Sequence, residues 1–274
     1  MPITEILTQE DIEFVSALVT EAGSLALKMR DTIEISWKTG PQDKVTTADF
    51  ALSKLIVDHL TERFSEDTII SEEDKVFSTE ARSARVWLID PIDGTDNYIS
   101  NDGQYSVMIG LVLDGQPVFG WVYAPTKELM YYGGPSYGSW RQEGSGAPKK
   151  YGQLTSMEHA SEARLVIGWR DRKSHPWIAE LPEIKIVKTG SIGLKVAKVL
   201  DQEADLFVHL SGKLKTWDTA GPAAIALGGK LEVGSLDSDR LEFPSNGVMH
   251  VGSVIMGRTG AIDWSRVHLN KETR

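Results

Sequence analysis

Trp87-Leu88-Ile89-Asp90-Pro91-Ile92-Asp93-Gly94-Thr95 decides how the fold is read. The apolar run predicts a buried strand that breaks at an acid, a proline, a second acid and a glycine. Two carboxylates then sit three residues apart on a tight turn at a strand's end. Held that close, they repel unless a cation lies between them. Hard divalent ions take oxygen ligands, and Mg²⁺ is usually held by one or two carboxylates plus substrate phosphates. Thr95 adds a hydroxyl one residue past a glycine whose N–H can face an anion. The combination reads as metal-assisted phosphate chemistry. Asp-Pro and Asp-Gly are also common turn dipeptides, so this segment alone leaves a plain turn open.

The chain has 274 residues, enough for one large domain or two closely packed subdomains. A net charge of −10 argues against nucleic-acid binding, which needs basic patches, and against an anionic membrane surface. If the substrate is a phosphate, bound cations must invert the local field. The absence of cysteine excludes disulfides, thiolate nucleophiles and zinc–thiolate sites. Met1-Pro2-Ile3-Thr4-Glu5 has neither a basic start nor an apolar core, so no signal peptide is expected. No apolar run reaches the ~18 residues of a membrane span. A soluble, cytoplasmic protein is the expectation.

Thr8 with Asp11 resembles a capping box. Apolar residues at Ile12, Val15, Leu18, Val19, Ala22, Leu25, Ala26 and Met29 predict one long amphipathic helix. A second helix is predicted from Thr46. Short strands are expected from Thr68 to Ser71 and from Val86 to Ile89. Successive antiparallel strands follow from Tyr105 to Tyr132, with a hairpin turn at Asp114-Gly115. The stretch from Gly133 to Ala147, rich in glycine and serine, reads as a loop without P-loop spacing. Beyond it come a strand from Leu165, a helix from Ile192 to Leu200 and a strand from Ala204 to Leu210. A helix opened by Asp218 and ended at Gly228-Gly229 precedes a strand from Lys230 to Val233. This mixture predicts layered sheets and helices rather than one parallel doubly wound sheet. A soft boundary between Ala147 and Ala163 separates an N-terminal α+β subdomain, 1–155, from a C-terminal α/β subdomain, 156–274, packed as one unit.

Three more acidic segments bear on the first. Asp43 and Asp49 flank Lys44-Val45-Thr46-Thr47-Ala48, and Asp49 fits a capping box on Thr46. Glu72-Glu73-Asp74 fits a solvated turn. Asp218, after Trp217, fits a helix start. Together they place acids at the ends of several elements, where sites gather in layered α/β proteins. Two metal ions need several converging carboxylates and a group that orients the attacking water. Glu72, Asp90, Asp93 and Asp218 can supply the first, and Thr95 with Asp49 the second.

Asp43 to Asp49, Ser71-Glu72-Glu73, Trp87 to Thr95 and Trp217-Asp218-Thr219-Ala220 resemble, in order and approximate spacing, the motifs of the inositol monophosphatase superfamily. That superfamily includes fructose-1,6-bisphosphatases and 3′(2′),5′-bisphosphate nucleotidases. The resemblance implies a layered αβαβα sandwich. It also implies a Mg²⁺-dependent, often lithium-inhibited phosphatase with two or three ions, for which Mn²⁺ can substitute. Glu72, Asp90 and the Ile92 carbonyl would bind one ion. Asp90 would bridge to a second, also held by Asp93 and Asp218. Thr95, polarised by Asp49, would orient the nucleophilic water, with Glu72 in the same catalytic group. The Gly94 and Thr95 N–H groups would face the phosphate, and Glu73 would support. A small phosphorylated substrate is implied, and a homodimer is allowed.

After Thr95 the chain reads Asp96-Asn97-Tyr98-Ile99-Ser100, where inositol monophosphatases usually have Thr-Asn-Phe-Val-His. The stretches from Gln104 to Leu111, Gly190 to Lys195 and His209 to Lys215 resemble the bisphosphate nucleotidase branch. A bisphosphate nucleotide carries a second phosphate. Lys195, Lys213 and Lys215, near the Asp218 motif, can bind it, and Ser191 opens a helix whose N–H groups can face an anion. These lysines also fit a solvated face. No Gly-x-Ser-x-Gly elbow occurs, and His175 and His250 sit in no triad context. The expected activity is that of a phosphomonoesterase acting on 3′-phosphoadenosine 5′-phosphate. Myo-inositol monophosphate comes second and fructose-1,6-bisphosphate third. A non-catalytic metal- or phosphate-sensing module on the same fold is the reading from another class.

Overall fold

The computed structural model describes residues 3–38, 40, 43–74, 83–243, 249–250 and 252–269. Met1 and Pro2 of the N-terminal stretch read above lie outside them. Thr8 caps α1 (Gln9–Met29): its hydroxyl accepts from the Asp11 N–H, and Asp11 Oδ2 accepts from the Thr8 N–H. An antiparallel pair, β1 (Ile35–Trp37) and β2 (Lys44–Thr46), leads into α2 (Thr47–Arg63), which opens on the Thr46–Asp49 capping box. β3 (Thr68–Ser71) lies parallel to β4 (Arg85–Asp93), and α3 (Thr95–Ser100) follows at once. β5 (Ser106–Leu113), β6 (Gln116–Ala124), β7 (Leu129–Gly134), β8 (Gly138–Glu143) and β9 (Lys149–Lys150) extend this sheet antiparallel. It has seven described strands in sequence order.

The second half alternates β10 (Ala163–Ile167), α4 (Trp169–Ser174), β11 (Ile184–Val187), α5 (Ile192–Leu200), β12 (Leu206–His209) and α6 (Thr216–Gly228). It ends with β13 (Glu232–Gly234), β14 (Val254–Gly257) and α7 (Ala261–Leu269). Its strands form a mixed five-stranded sheet in the order β11-β10-β12-β14-β13.

Three apolar clusters hold the layers together. Val15, Leu18, Leu52 and Ile56 of α1 and α2 pack on Trp87, Ile89 and Trp121 of the first sheet. Leu194, Val196, Ala220 and Ala223 of α5 and α6 fill the space between the sheets, against Met108, Val122, Phe207 and Met256. Leu165, Val208 and Ile255 on the outer face of the second sheet meet Ala261 and Trp264 of α7. The order is α, β, α, β, α, the expected sandwich. Each fully buried Leu or Ile contributes on the order of 1.5–3 kcal/mol relative to exposure.

Small residues let α6 approach the first sheet closely. A Cβ on Gly110 would stand 2.5 Å from Ala220 Cβ, and one on Gly120 would stand 2.2 Å from the Gly221 carbonyl oxygen. Only backbone fits there, and the approach brings the start of α6 to the Asp90 end of β4.

Two elements differ from the sequence reading. β4 does not break at Asp90 but continues to Asp93 through a register shift. Asp90 pairs with Met108 and Asp93 with Ser106, so three steps on β4 match two on β5. This is a β-bulge, and Pro91, which has no N–H for a ladder, sits inside it. The stretch from Gly133 to Ala147 is not a loop either, because β8 pairs with β7 along Gly138–Glu143. Gly138 and Gly144 take positive φ at the turns that flank β8, whereas Gly134 marks a close contact, since a Cβ there would lie 2.0 Å from the Val118 carbonyl oxygen. No helix among the described residues is long and apolar enough to cross a membrane.

Candidate active site

Side chains alternate along a regular strand, so residues three apart face opposite sides. The bulge puts Asp90 and Asp93 on one side. Glu72 arrives from the turn after β3, its N–H donating to the Ile89 carbonyl at 3.0 Å. Asp218 lies in the first turn of α6 rather than at its cap. Lys215 occupies the cap, and its N–H donates to Asp218 Oδ2 at 2.7 Å. One oxygen from each of Glu72, Asp90 and Asp218 lies within 4.8 Å of the others. Asp93 Oδ2 accepts from the Ser191 hydroxyl and from the Gly193 N–H at 2.9 Å, at the start of α5.

Buried carboxylates this close raise one another's proton affinity. Burial, then the charges of Glu72, Asp93 and Asp218, pushes Asp90 well above the usual carboxylate range. Burial and Glu72 raise Asp218 in the same way. Burial also raises Asp93, although Lys195 and its hydrogen bonds pull the other way. Asp90 Oδ1 is buried with no hydrogen-bond partner among the described residues. An orphaned carboxylate oxygen facing two more carboxylates is unfavourable alone and suits a hard divalent cation such as Mg²⁺. Glu72, Asp90 and Asp218 can hold it, with Asp93 and the Ile92 carbonyl beside them.

Asp49 is the capping acid of α2 and also faces the site. Its Oδ2 accepts from the Thr46 N–H at 2.8 Å and the Thr46 hydroxyl at 2.6 Å. The Thr95 hydroxyl lies 3.4 Å from Asp49 Oδ1 and 3.3 Å from the Ile92 carbonyl oxygen. Burial pushes Asp49 up to about 6, against its bonds from Thr46. Gly94 takes φ +93°, open to glycine, and turns β4 directly into α3. Lys38, which sequence reasoning missed, lies 2.9 Å from Glu72 Oε1 and 2.7 Å from Glu73 Oε1. Burial pushes Glu73 up to about 7, opposed by Lys38 and helped by the charges of Glu72 and Asp49.

The acids form one end of a cavity of about 600 Å³, lined also by Gly94 and Thr95. Lys195, Arg170, Arg172, Lys188, Trp169 and His209 line it as well. Lys195 is buried, with its Nζ 6.0 Å from the Phe207 ring centre. Burial lowers its proton affinity, and Asp93, Asp171 and Asp218 pull it back up. Ser191 is buried and committed to Asp93. Lys213 is exposed, Lys215 is half-buried, and neither lines the cavity; Lys215 contributes its backbone. Arg170, Arg172 and Lys188 are distant from Asp218 in sequence, and only the fold brings them near. Asp171, between the two arginines, is buried with His209 Nδ1 at 3.0 Å, and His209 Nε2 lies 2.8 Å from the Ser211 hydroxyl.

The inositol monophosphatase family profile matches residues 7–236. The 3′(2′),5′-bisphosphate nucleotidase CysQ of Salmonella typhimurium is 30% identical over 237 residues, 85% of this chain and 93% of that one. The inositol-1-monophosphatase of Bacillus subtilis is 28% identical over 216 residues, 76% and 78% of the two chains. The Thermotoga maritima inositol monophosphatase superposes with a TM-score of 0.77 at 23% identity, covering 97% of this chain and 98% of that one. An inositol monophosphatase/NADP phosphatase complexed with Mg²⁺ and phosphate superposes with a TM-score of 0.80 at 18% identity, covering 96% of each. The last two likenesses concern the fold. Family members act on small phosphorylated substrates with divalent metal ions. With a match over most of its length, and with carboxylates that converge as a divalent ion requires, this chain is a phosphatase and belongs to the inositol monophosphatase family.

Proposed function

We propose that the chain removes the 3′(2′)-phosphate of a nucleoside bisphosphate, with 3′-phosphoadenosine 5′-phosphate, cleaved to AMP and phosphate, as the preferred substrate. The observation that carries this reading is the cavity's mixed charge. Glu72, Asp90 and Asp218 share it with Arg170, Arg172, Lys188 and Lys195. A monophosphate needs only the acids and their cations. A second phosphate beyond the reach of those cations accounts for the basic groups. The similarity to CysQ favours the same substrate over myo-inositol monophosphate.

In this reading Glu72, Asp90 and Asp218, with Asp93 and the Ile92 carbonyl, would hold the divalent ions, Mg²⁺ or Mn²⁺ in its place. When bound, such ions neutralise phosphate oxygens and make water more acidic. The chain's own part is positioning. Thr46 occupies Asp49 Oδ2, so Oδ1 is left to accept from the Thr95 hydroxyl. With its proton committed, Thr95 Oγ1 accepts a hydrogen from the attacking water and aims the water's lone pair at phosphorus. Asp49, at about 6, is ionised at neutral pH and serves as that acceptor. The Gly94 and Thr95 N–H groups face the phosphate oxygens. Lys195, the arginines and Lys188 face the second phosphate.

Phosphate release in Mg²⁺ from 3′-phosphoadenosine 5′-phosphate, myo-inositol monophosphate and fructose-1,6-bisphosphate tests the choice. The nucleotide is expected to give the highest kcat/KM. A higher value on the inositol phosphate would transfer the assignment to it.

A further inference from the structure

Trp169 lines the same cavity as the acids, yet 59% of its surface is exposed. Its indole is therefore not a core side chain. Lys173 Nζ lies over the ring, 5.2 Å from its centre, a cation–π contact that occupies one face. More than half of the residue's surface stays open to a ligand. Arg170 and Arg172 stand on either side of Asp171 in the same short helix. Arg172 Nε is buried with no hydrogen-bond partner among the described residues. Asp171 is tied to His209 at the end of β12, so this segment is anchored to the second sheet.

We propose that Trp169 is the platform on which the substrate's purine base stacks, an inference that rests on the nucleotide reading above. A flat aromatic face beside phosphate-binding cations is what a nucleotide recognises. Inositol and sugar phosphates have no planar ring to place there. Stacking is tolerant of base identity, because every base has a π face. Removing one such platform typically weakens binding roughly 5- to 150-fold.

AMP carries adenine where ribose 5-phosphate carries the anomeric hydroxyl, so comparing the loss each variant shows for the two ligands isolates the base. Both are measured by calorimetry in Mg²⁺ for the wild type, Trp169→Ala and Trp169→Phe. The alanine variant is expected to lose roughly ten-fold for AMP, at least five-fold more than it loses for ribose 5-phosphate. Phenylalanine, which keeps a ring face, is expected to recover most of that loss. In turnover of 3′-phosphoadenosine 5′-phosphate the alanine effect falls on KM more than on kcat. Equal losses for the two ligands, or an alanine variant that binds AMP as the wild type does, would overturn the platform. Phosphate release from the nucleotide by the wild type separates the two ideas. A wild type that cleaves the nucleotide while the Trp169 variants bind AMP normally removes the platform alone. A wild type that neither cleaves the nucleotide nor distinguishes AMP from ribose 5-phosphate removes both.

Discussion

Asp90 and Asp93 face the same side of their sheet although they are three positions apart, because the bulge at Pro91 and Ile92 makes them two rungs apart on β5. Without the bulge, residues at this three-residue spacing would face opposite sides, and one acid would point into the α1 and α2 layer. With it, Asp90 turns toward Glu72 and Asp218, and Asp93 reaches the first turn of α5. The same strand that anchors the core thereby delivers two acids to one cavity.

Replacing Asp90 by Asn keeps shape and removes charge. Turnover is expected to fall by orders of magnitude, since a group central to cation binding is gone. Stability in chelator is expected to hold or rise, because the amide relieves repulsion among Glu72, Asp93 and Asp218. Paired activity assays and melting curves in EDTA check both halves. Full turnover would remove Asp90 from the site, and a large drop in melting temperature would make it a folding residue.

Metal and pH are linked through the same acids. Asp90, Asp93 and Asp218 have folded-state pKa values raised above the ordinary 3.8. At these three positions the folded, metal-free chain therefore binds more protons than the unfolded one just above pH 4. The contribution of these three acids to its stability falls as pH rises from there through the raised values. A cation replaces those protons, so the melting-temperature increase from Mg²⁺ should be several degrees larger at pH 8 than at pH 5. An increase that is equal at both values would sink this linkage.

Much of the site was legible because its acids also obey local rules. Asp49 and Asp218 sit in the first turns of helices, where an acid bonds the cap N–H with one oxygen and keeps the other for chemistry. Such positions carry helix-start signals that a sequence displays. The bulge was not legible, since Asp-Pro reads as a strand break and only pairing with β5 shows that β4 continues. Nor were Arg170 and Lys188, whose place in the cavity depends on how β10 and β11 lie beside β12. Lys213 and Lys215 show the converse, because nearness to Asp218 in sequence did not carry their side chains into the cavity wall.

Thr95→Ala should lower kcat more than it changes KM, since orienting a water matters mainly in the transition state. Thr95→Ser, which keeps the hydroxyl, should recover much of the loss. Steady-state kinetics on the preferred ester reads both. A pure KM effect would move Thr95 into substrate binding.

His250 is buried, and Thr219 Oγ1 lies 2.6 Å from its Nε2. Burial, then the nearby His209, depresses its pKa from the ordinary 6.5 to about 4. Between those values the unfolded chain takes up a proton that the folded chain refuses. This contribution to stability is complete above pH 6.5 and is lost as pH falls toward 4, by up to about 3 kcal/mol. Urea unfolding of the wild type and His250→Gln at pH 7 and pH 5 isolates it. The gap between the two proteins should shrink or reverse at pH 5, and a constant gap would remove the histidine as its source.

Gly110 links the packing of α6 to the site. A Cβ there would stand 2.5 Å from both Ala220 Cβ and the Gly221 backbone nitrogen. Those atoms lie on α6 just after Asp218, so the helix start has to move outward. Gly110→Ala should cost about 1–3 kcal/mol as an overpacked core position. The displacement should also carry Asp218 away from Asp90 and Glu72, whose oxygens now lie within 4.8 Å of its own. Under conditions where the variant is fully folded, the Mg²⁺ concentration for half-maximal activity should therefore rise several-fold. Leu111→Ala on the same strand removes fully buried volume from the cluster facing α1 and α2, and it should destabilise without raising the Mg²⁺ requirement. If both variants lose stability and neither needs more Mg²⁺, the close approach of α6 serves packing alone and does not set the position of Asp218.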